Sequence, residues 1–361
     1  MKKLSKSLKA IAFSSLISGS AFAQAPKYSN EFLSIGVGAR ALGMANAQVS
    51  DVNDITAGYW NPAGLIGIKN DIQVGLMHSE YFAGLAKYDY GAIAVPIDKT
   101  STVGVSFIRF AVDDIPDTSE LIDPQGNVNY DRIKSFAAAD YAFILSYARR
   151  HKYYDNLTYG ANAKVIYRNV GEFASAWGFG IDLGAQLKLN EHFQLGATIK
   201  DVTSTFNAWS FNADKLAFLS KTGNAIPQNG LELTLPRLIF GGSYRHDFSN
   251  KITALAALDL DFTTDGKRNV PIKTSVVSID PHAGIEIGYD NFIFLRAGVG
   301  NVQQIKSIAD NKTYTTFQPN IGVGIKLKRL TVDYAFTNIG GAAETLYSNI
   351  ISLKLDINRS H

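Results

Sequence analysis

The sequence predicts an all-β fold: a closed, 14-stranded antiparallel transmembrane barrel with an N-terminal plug in its lumen. Three observations carry this reading: an export signal at the start of the chain, apolar residues that recur with period two, and connections that alternate between short and long.

Composition narrows the field first. The 361 residues carry a formal net charge of +3, with 46% hydrophobic and 19% charged residues and no cysteine. The basic residues are scattered, which leaves no electrostatic footprint for nucleic acid. Lys2, Lys3, Lys6 and Lys9 precede the apolar stretch Ala10 to Ile17, and Ala21, Phe22 and Ala23 stand before Gln24; residues 1–23 therefore read as a secretory signal peptide. Without cysteine there is neither a lipid-anchor site nor a disulfide framework. No later apolar run is long enough for a transmembrane helix, so a membrane can be crossed only by a barrel.

The alternation is plain in Ile181, Leu183, Ala185, Leu187 and Leu189, which interleave with Asp182, Gly184, Gln186 and Lys188. It recurs in Leu258, Leu260 and Phe262 against Asp259 and Asp261, and in Ile321, Val323, Ile325 and Leu327 against Gly322, Gly324, Lys326 and Lys328. Strands are expected at 70–78, 85–96, 101–110, 137–151, 157–170, 175–189, 192–202, 235–247, 251–263, 280–289, 292–300, 314–327, 330–338 and 345–357. Short turns at Asp155-Asn156, Asn190-Glu191, Ser249-Asn250, Asp290-Asn291 and Lys328-Arg329 take turns with long connections at 111–136, 203–234, 264–279 and 301–313. A barrel sorts its loops by rim in this way, and a soluble sandwich has no reason to. Tyr141, Tyr147, Tyr153, Tyr154, Tyr159, Tyr167 and Trp177 fall near strand ends, where interfacial girdles lie. On this assignment Val323 meets lipid and rejects Arg, whereas Gln186 faces the lumen and tolerates it.

Residues 24–69 do not fit the barrel pattern of 70–361 and are assigned to the plug. Gly36, Gly38, Gly43 and the alanines around Arg40 and Met44 are small enough for close packing in a short helix near 38–47. The segment then reads AGYWNPAGL at 57–65. Pro62 lacks an N–H and pushes Asn61 towards an extended backbone, Asn61 can close a side-chain turn, and Gly64 allows close approach to the wall. Tyr59, Trp60, Asn61, Pro62, Ala63 and Gly64 are thus the expected hatch turn.

The stretch GARALGMANAQVSDVNDITAGYWNPAGL resembles the N-terminal signature of the PorV/PorQ family of outer-membrane proteins, related to the FadL-type long-chain fatty acid transporters. DDIPDTSELIDPQGNVNYDRI at 113–133, SFAAADYAFILSYARR at 135–150 and FASAWGFGID at 173–182 are similar to PorV/PorQ proteins of Bacteroidetes. The resemblance implies a FadL-type barrel in the bacterial outer membrane and a role in the type IX secretion system. Its partners would be the translocon, exported cargo or surface-attachment proteins. The C-terminal LKLDINRSH departs from the terminal aromatic common in barrels.

No enzyme is expected. The six histidines form no HExxH and have no neighbouring G-x-S-x-G elbow, and a His78–Ser79 pair at a rim is a weak nucleophile-base candidate. Gly36, Gly38 and Gly43 do not spell a dinucleotide loop, no cofactor is called for, and the acidic residues from Asp113 to Asp123 read as a solvated loop rather than a calcium site. Asp259, Asp261, Lys326 and Lys328 could pair across the lumen. The connection at 203–234 gathers Phe206, Trp209, Phe211, Leu216 and Phe218, either capping the mouth or forming a partner-binding surface. Two functions follow. The first is a PorV-like docking component, favoured by a polar lumen; the second is a FadL-like channel taking up long-chain fatty acids or other hydrophobic molecules, with a hydrophobic ligand behind the plug.

Overall fold

A computed structural model describes residues 29–358 except 83, 124, 222, 307–309 and 338–347. The expected signal peptide lies outside the described residues.

The strands are β1 (Ile72–Tyr81), β2 (Ala86–Pro96), β3 (Ser101–Asp117), β4 (Lys134–Arg150), β5 (Leu157–Val170), β6 (Ala174–Lys188) and β7 (Phe193–Lys200), followed by β8 (Arg237–Asp247), β9 (Ile252–Thr263), β10 (Ser278–Tyr289), β11 (Ile293–Lys306), β12 (Thr313–Leu327), β13 (Leu330–Thr337) and β14 (Ser348–Ile357). Each pairs antiparallel with its neighbours in order, and β1 closes on β14 from Ile72↔Ile357 to Glu80↔Asn349. Closure is the physical requirement, since a spanning sheet in lipid has no water to satisfy an open edge.

Alternation sets the two faces. Leu76, Val105, Phe143, Leu145, Ile181, Leu183, Val323 and Leu353 are exposed on the outside, while Gln73, Ser146, Asn162, Asp182, Gln186, Asp259 and Glu286 are buried on the inside. Lys188 and Lys328 leave this pattern: the first is exposed at its strand end and the second occupies a turn with φ 54°. Short turns at 97–100, 151–156, 189–192, 248–251, 290–292 and 328–329 share one rim, the turn rim, with both ends of the sheet. Most connections at the other, loop rim are longer, with short exceptions at 82–85 and 171–173.

Several expected loops are partly sheet. β3 runs to Asp117 past an irregularity between Val112 and Ile115, and β11 runs to Lys306 past one between Gly300 and Gln303. Within 203–234, Thr205–Phe211 pairs with the outer end of β6 and Gly230–Thr234 pairs back onto it. β7 and β8 thereby continue beyond the rim after an interruption at 201–204 and 235–236.

Residues 29–69 run through the barrel interior as short pieces: 3-10 turns Glu31–Ser34 and Pro62–Gly67, and helices α1 (Ala39–Gly43) and α2 (Ala57–Trp60). The expected helix near 38–47 is thus shorter, ending where Ala45 and Asn46 take positive φ. The inner wall is shaved to receive the segment. A Cβ on Gly160 would lie 2.7 Å from the carbonyl carbon of Pro62, and one on Gly284 would lie 2.6 Å from Cβ of Met44. Gly322 and Gly43 face each other across a similar contact, with a Cβ on Gly43 meeting Cα of Gly322 at 3.1 Å.

Val323→Arg should destabilise the folded barrel by about 2–4 kcal/mol in a urea titration in vesicles. Gln186→Arg is not the neutral control that alternation alone suggests, because the Gln186 amide donates to the carbonyls of Val49 and Val52. Thr316→Arg, on the inner face of the same strand beside open space, should change the same midpoint little; equal losses at positions 316 and 323 would overturn the inside-outside assignment.

Candidate functional site

The site is assembled where the N-terminal segment crosses the lumen. Pro62 fixes the start of its 3-10 turn, and Asn61 before it is extended at φ −156° and ψ 103°. The Asn61 side chain accepts from Ala63 N at 3.2 Å and donates to the carbonyls of Val49 and Ala185, each at 2.9 Å. One buried amide thus closes the turn and ties it to β6. Gly64 packs against the Val52 carbonyl, where a Cβ would collide.

Tyr59 and Trp60 precede this turn and meet edge to face at 4.9 Å and 82°. Trp60 Nε1 donates to Val37 O at 2.9 Å, and Tyr59 Oη donates to Leu33 O at 2.7 Å. Burial pushes the Tyr59 phenol well above its ordinary pKa, so it stays a donor. Gly36 and Gly38 have φ of 110° and 87°. A Cβ on Gly36 would stand 2.8 Å from Asn46 Oδ1 and 3.1 Å from the Trp60 ring, so the indole lies against bare backbone. Met44 is buried against β10 and β11.

Arg40 is the ionic centre of the segment. Its guanidinium donates to Glu286 Oε2 at 2.9 Å, Gln48 Oε1 at 2.9 Å and Asp51 Oδ2 at 2.6 Å. Burial opposes its charge, but Glu286 and Asp51 outweigh burial and raise its pKa above the ordinary value. Arg296 links Glu286 to Asp333, and Arg245 reaches Asp51 at 3.1 Å. A second tie joins Lys354 on β14 to Asp54 at 2.8 Å. The expected pairing of Asp259 and Asp261 with Lys326 and Lys328 does not form. Asp259 accepts the backbone N–H groups of Gln48 and Val49, and Asp261 pairs with Arg237, because closer partners on the segment and the adjacent strand take them.

The segment divides the open space. On the loop side lies a cavity of about 860 Å³, with Tyr59 and Trp60 of the segment facing Tyr81 and Phe110 of the wall. On the turn side a charged cavity of about 320 Å³ is lined by Arg40, Asp54, Lys326 and Lys354. Lys200, at the end of β7, borders the larger cavity and an adjoining one of about 360 Å³ beside the strand interruption. It is 8% exposed. Its ammonium sits 4.0 Å from the Tyr59 ring centroid and 5.6 Å from that of Trp60, and it enters none of the ion pairs found among the described residues. Asn30 Oδ1 and Thr263 Oγ1, on residues bordering the adjoining cavity, are buried without a partner. Lys200 was legible only as the last inward position after Gln194, Gly196 and Thr198.

The five residues of the 203–234 connection do not form one patch. Trp209 and Phe211 stack at 5.9 Å on one face of the extended hairpin, with Arg168 over the indole at 5.1 Å, while Phe206 lies on the opposite face at 45% exposure. Leu216 is buried and Phe218 half-buried. His78 and Ser79 point to opposite faces of β1, and His78 Nδ1 contacts Asp89 at 2.7 Å, so they make no nucleophile-base pair. In the acidic connection Asp113 pairs with Lys87, Glu120 pairs with Lys134, and Asp123 caps its own turn; no metal-holding cluster occurs among the described residues.

A fourteen-strand closure, an apolar exterior and an interior crossed by the N-terminal segment define an outer-membrane β-barrel with the FadL-type fold. Its solved structural neighbours include the CymD monoaromatic hydrocarbon channel, with TM-score 0.58 and 14% identity over 91% of this chain and 99% of that one. The Pseudomonas putida toluene transporter TodX superposes with TM-score 0.57 and 13% identity over 89% and 98%, respectively. A Pseudomonas aeruginosa FadL homologue gives TM-score 0.50 and 14% identity over 89% and 98%. No protein-family model and no curated protein sequence matches the chain.

The Asp54–Lys354 tie makes a pH prediction. Burial raises the Asp54 pKa, but Lys354 and Thr56 outweigh it and hold the carboxyl below its usual range. A carboxylate depressed on folding stabilises above its unfolded pKa and loses that contribution as pH falls towards its folded one. Asp54→Asn should therefore cost about 1.5–3 kcal/mol at neutral pH. The difference from wild type should shrink below about pH 3.9 in thermal melts in micelles; a constant difference through that range would exclude the pair as its source.

Proposed function

We propose that this barrel is a channel for uptake of hydrophobic molecules that carry a polar or anionic head, long-chain fatty acids among them. The carrying observation is the loop-side cavity, where aromatic faces of the segment and wall meet an ammonium without a carboxylate partner. Aromatic rings accept an aliphatic or aromatic body at no polar cost, and a buried unpaired lysine favours an anion. The segment closes the way to the turn side, and passage requires the hatch turn around Asn61 and Pro62 to move. The neighbours described as toluene and monoaromatic hydrocarbon channels support a hydrophobic cargo.

The second reading is the PorV-like role, in which the loop rim receives exported proteins for a type IX secretion system and hands them to surface-attachment machinery. It draws on the sequence resemblance and on the hairpin that rises past the rim with Phe206 and Leu231 exposed. Neither role uses a catalytic group or cofactor.

Purification in mild detergent followed by mass spectrometry of the extract separates the two. Uptake predicts a bound fatty acid or other hydrophobe, and Lys200→Met should reduce retention of labelled oleate by about tenfold. Copurified secretion proteins with no bound hydrophobe would transfer the assignment to the docking role.

A further inference from the structure

The outside of β4 changes chemistry as it approaches the turn rim. Successive outward positions are Phe143, Leu145, Tyr147 and Arg149, and the chain then turns through His151, Lys152, Tyr153 and Tyr154. Tyr159 pairs across from Arg149. Tyr153 is 77% exposed and Tyr154 63%, although neither is loose in the turn. His151 Nδ1 accepts the backbone N–H groups of both, at 3.2 and 3.3 Å, and its ring stacks on Tyr154 at 5.2 Å. With Nδ1 an acceptor, the other ring nitrogen carries the proton and is free to donate.

Among the described residues, no ion pair includes Arg149, Arg150 or Lys152, and Arg150 Nε is buried without a partner. Arg150 N donates to Thr100 O, and Asn156 Nδ2 donates to Lys188 O, so exposed Lys99 and Lys188 flank the cluster from the turns on either side. The acids facing it are few. They are Asp98, whose carboxylate is held by Thr100 N and Oγ1 at 2.6 and 2.7 Å, Asp155 and Glu191, against the cations Lys99, Arg149, Arg150, Lys152 and Lys188. The next turn differs: the His192, Tyr244 and His246 ring ladder has Glu191 and Asp247 beside it, and Arg245 is spent on Asp51.

We propose that this cluster is a binding site for the phosphate head of an anionic phospholipid, phosphatidylglycerol or a relative, in the leaflet at the turn rim. The apolar run Phe143–Leu145 provides the wall for the acyl chains, the tyrosines stand at headgroup depth, and Arg149, Lys152 and the His151 N–H meet the phosphate. A zwitterionic head brings its own ammonium into the same cationic field and is disfavoured. The site is independent of the lumen cavity and of what the barrel transports.

Native mass spectrometry of the intact protein released from micelles holding equal phosphatidylglycerol and phosphatidylethanolamine tests the site. Wild type should retain phosphatidylglycerol in excess, and Arg149→Gln with Lys152→Gln should lower the ratio by about fivefold for each cation removed. Lys251→Gln, on a different turn of the same rim, should leave it unchanged. The excess should also fall in high salt, a measurement that needs no variant. Heat-modifiable gel mobility reports whether each variant has folded. A wild type without preference, a preference that survives the double substitution, or an equal effect at Lys251 would overturn the proposal. So would a copurifying protein lost from the double variant while the lipid ratio held.

Discussion

Everything in this molecule follows from one hydrogen-bonding constraint: the edge of β1 must find the edge of β14. Backbone groups facing hydrocarbon have no solvent to fall back on, and the antiparallel register from Ile72↔Ile357 to Glu80↔Asn349 leaves no edge there. Closure in turn dictates two environments separated by one layer of backbone. Each strand must be apolar at every second position and can be polar at the others, which is why Leu183 faces out while Asp182 and Gly184 face in.

A closed wall with a polar inner face creates a second requirement, which the N-terminal segment meets. Asp259 would be a buried carboxylate without donors but for the amides of Gln48 and Val49, and Glu286 shares Arg40 and Arg296. Segment and wall are therefore one polar network. Lys200 stands apart from it, held over rings rather than over a carboxylate.

Much of the architecture was legible because alternation is local. All fourteen strands were expected close to where they lie, and the inward or outward direction of Val323, Asp182 and Gln186 follows from parity alone. Asn61 and Pro62 were readable as a turn because their backbone preferences are intrinsic. What parity cannot supply is distance across a closed tube. Asp259 and Asp261 were matched to lysines by charge, whereas the structure gives them nearer partners that only closure brings close. The sequence alone gives Lys200 no distinguishing mark, because its meaning lies in the rings opposite it. The aromatic residues at 206–218 were counted as a group, but strand pairing sends Phe206 and Trp209 to different faces.

The inward glycines of the wall carry a further consequence. Gly160, Gly184, Gly284 and Gly298 form notches fitted to Pro62, Asn61 and Met44. Displacement parallel to the barrel axis would drive those groups into neighbouring strand positions that carry side chains. Such a fit fixes the segment's height in the barrel and blocks piston-like travel.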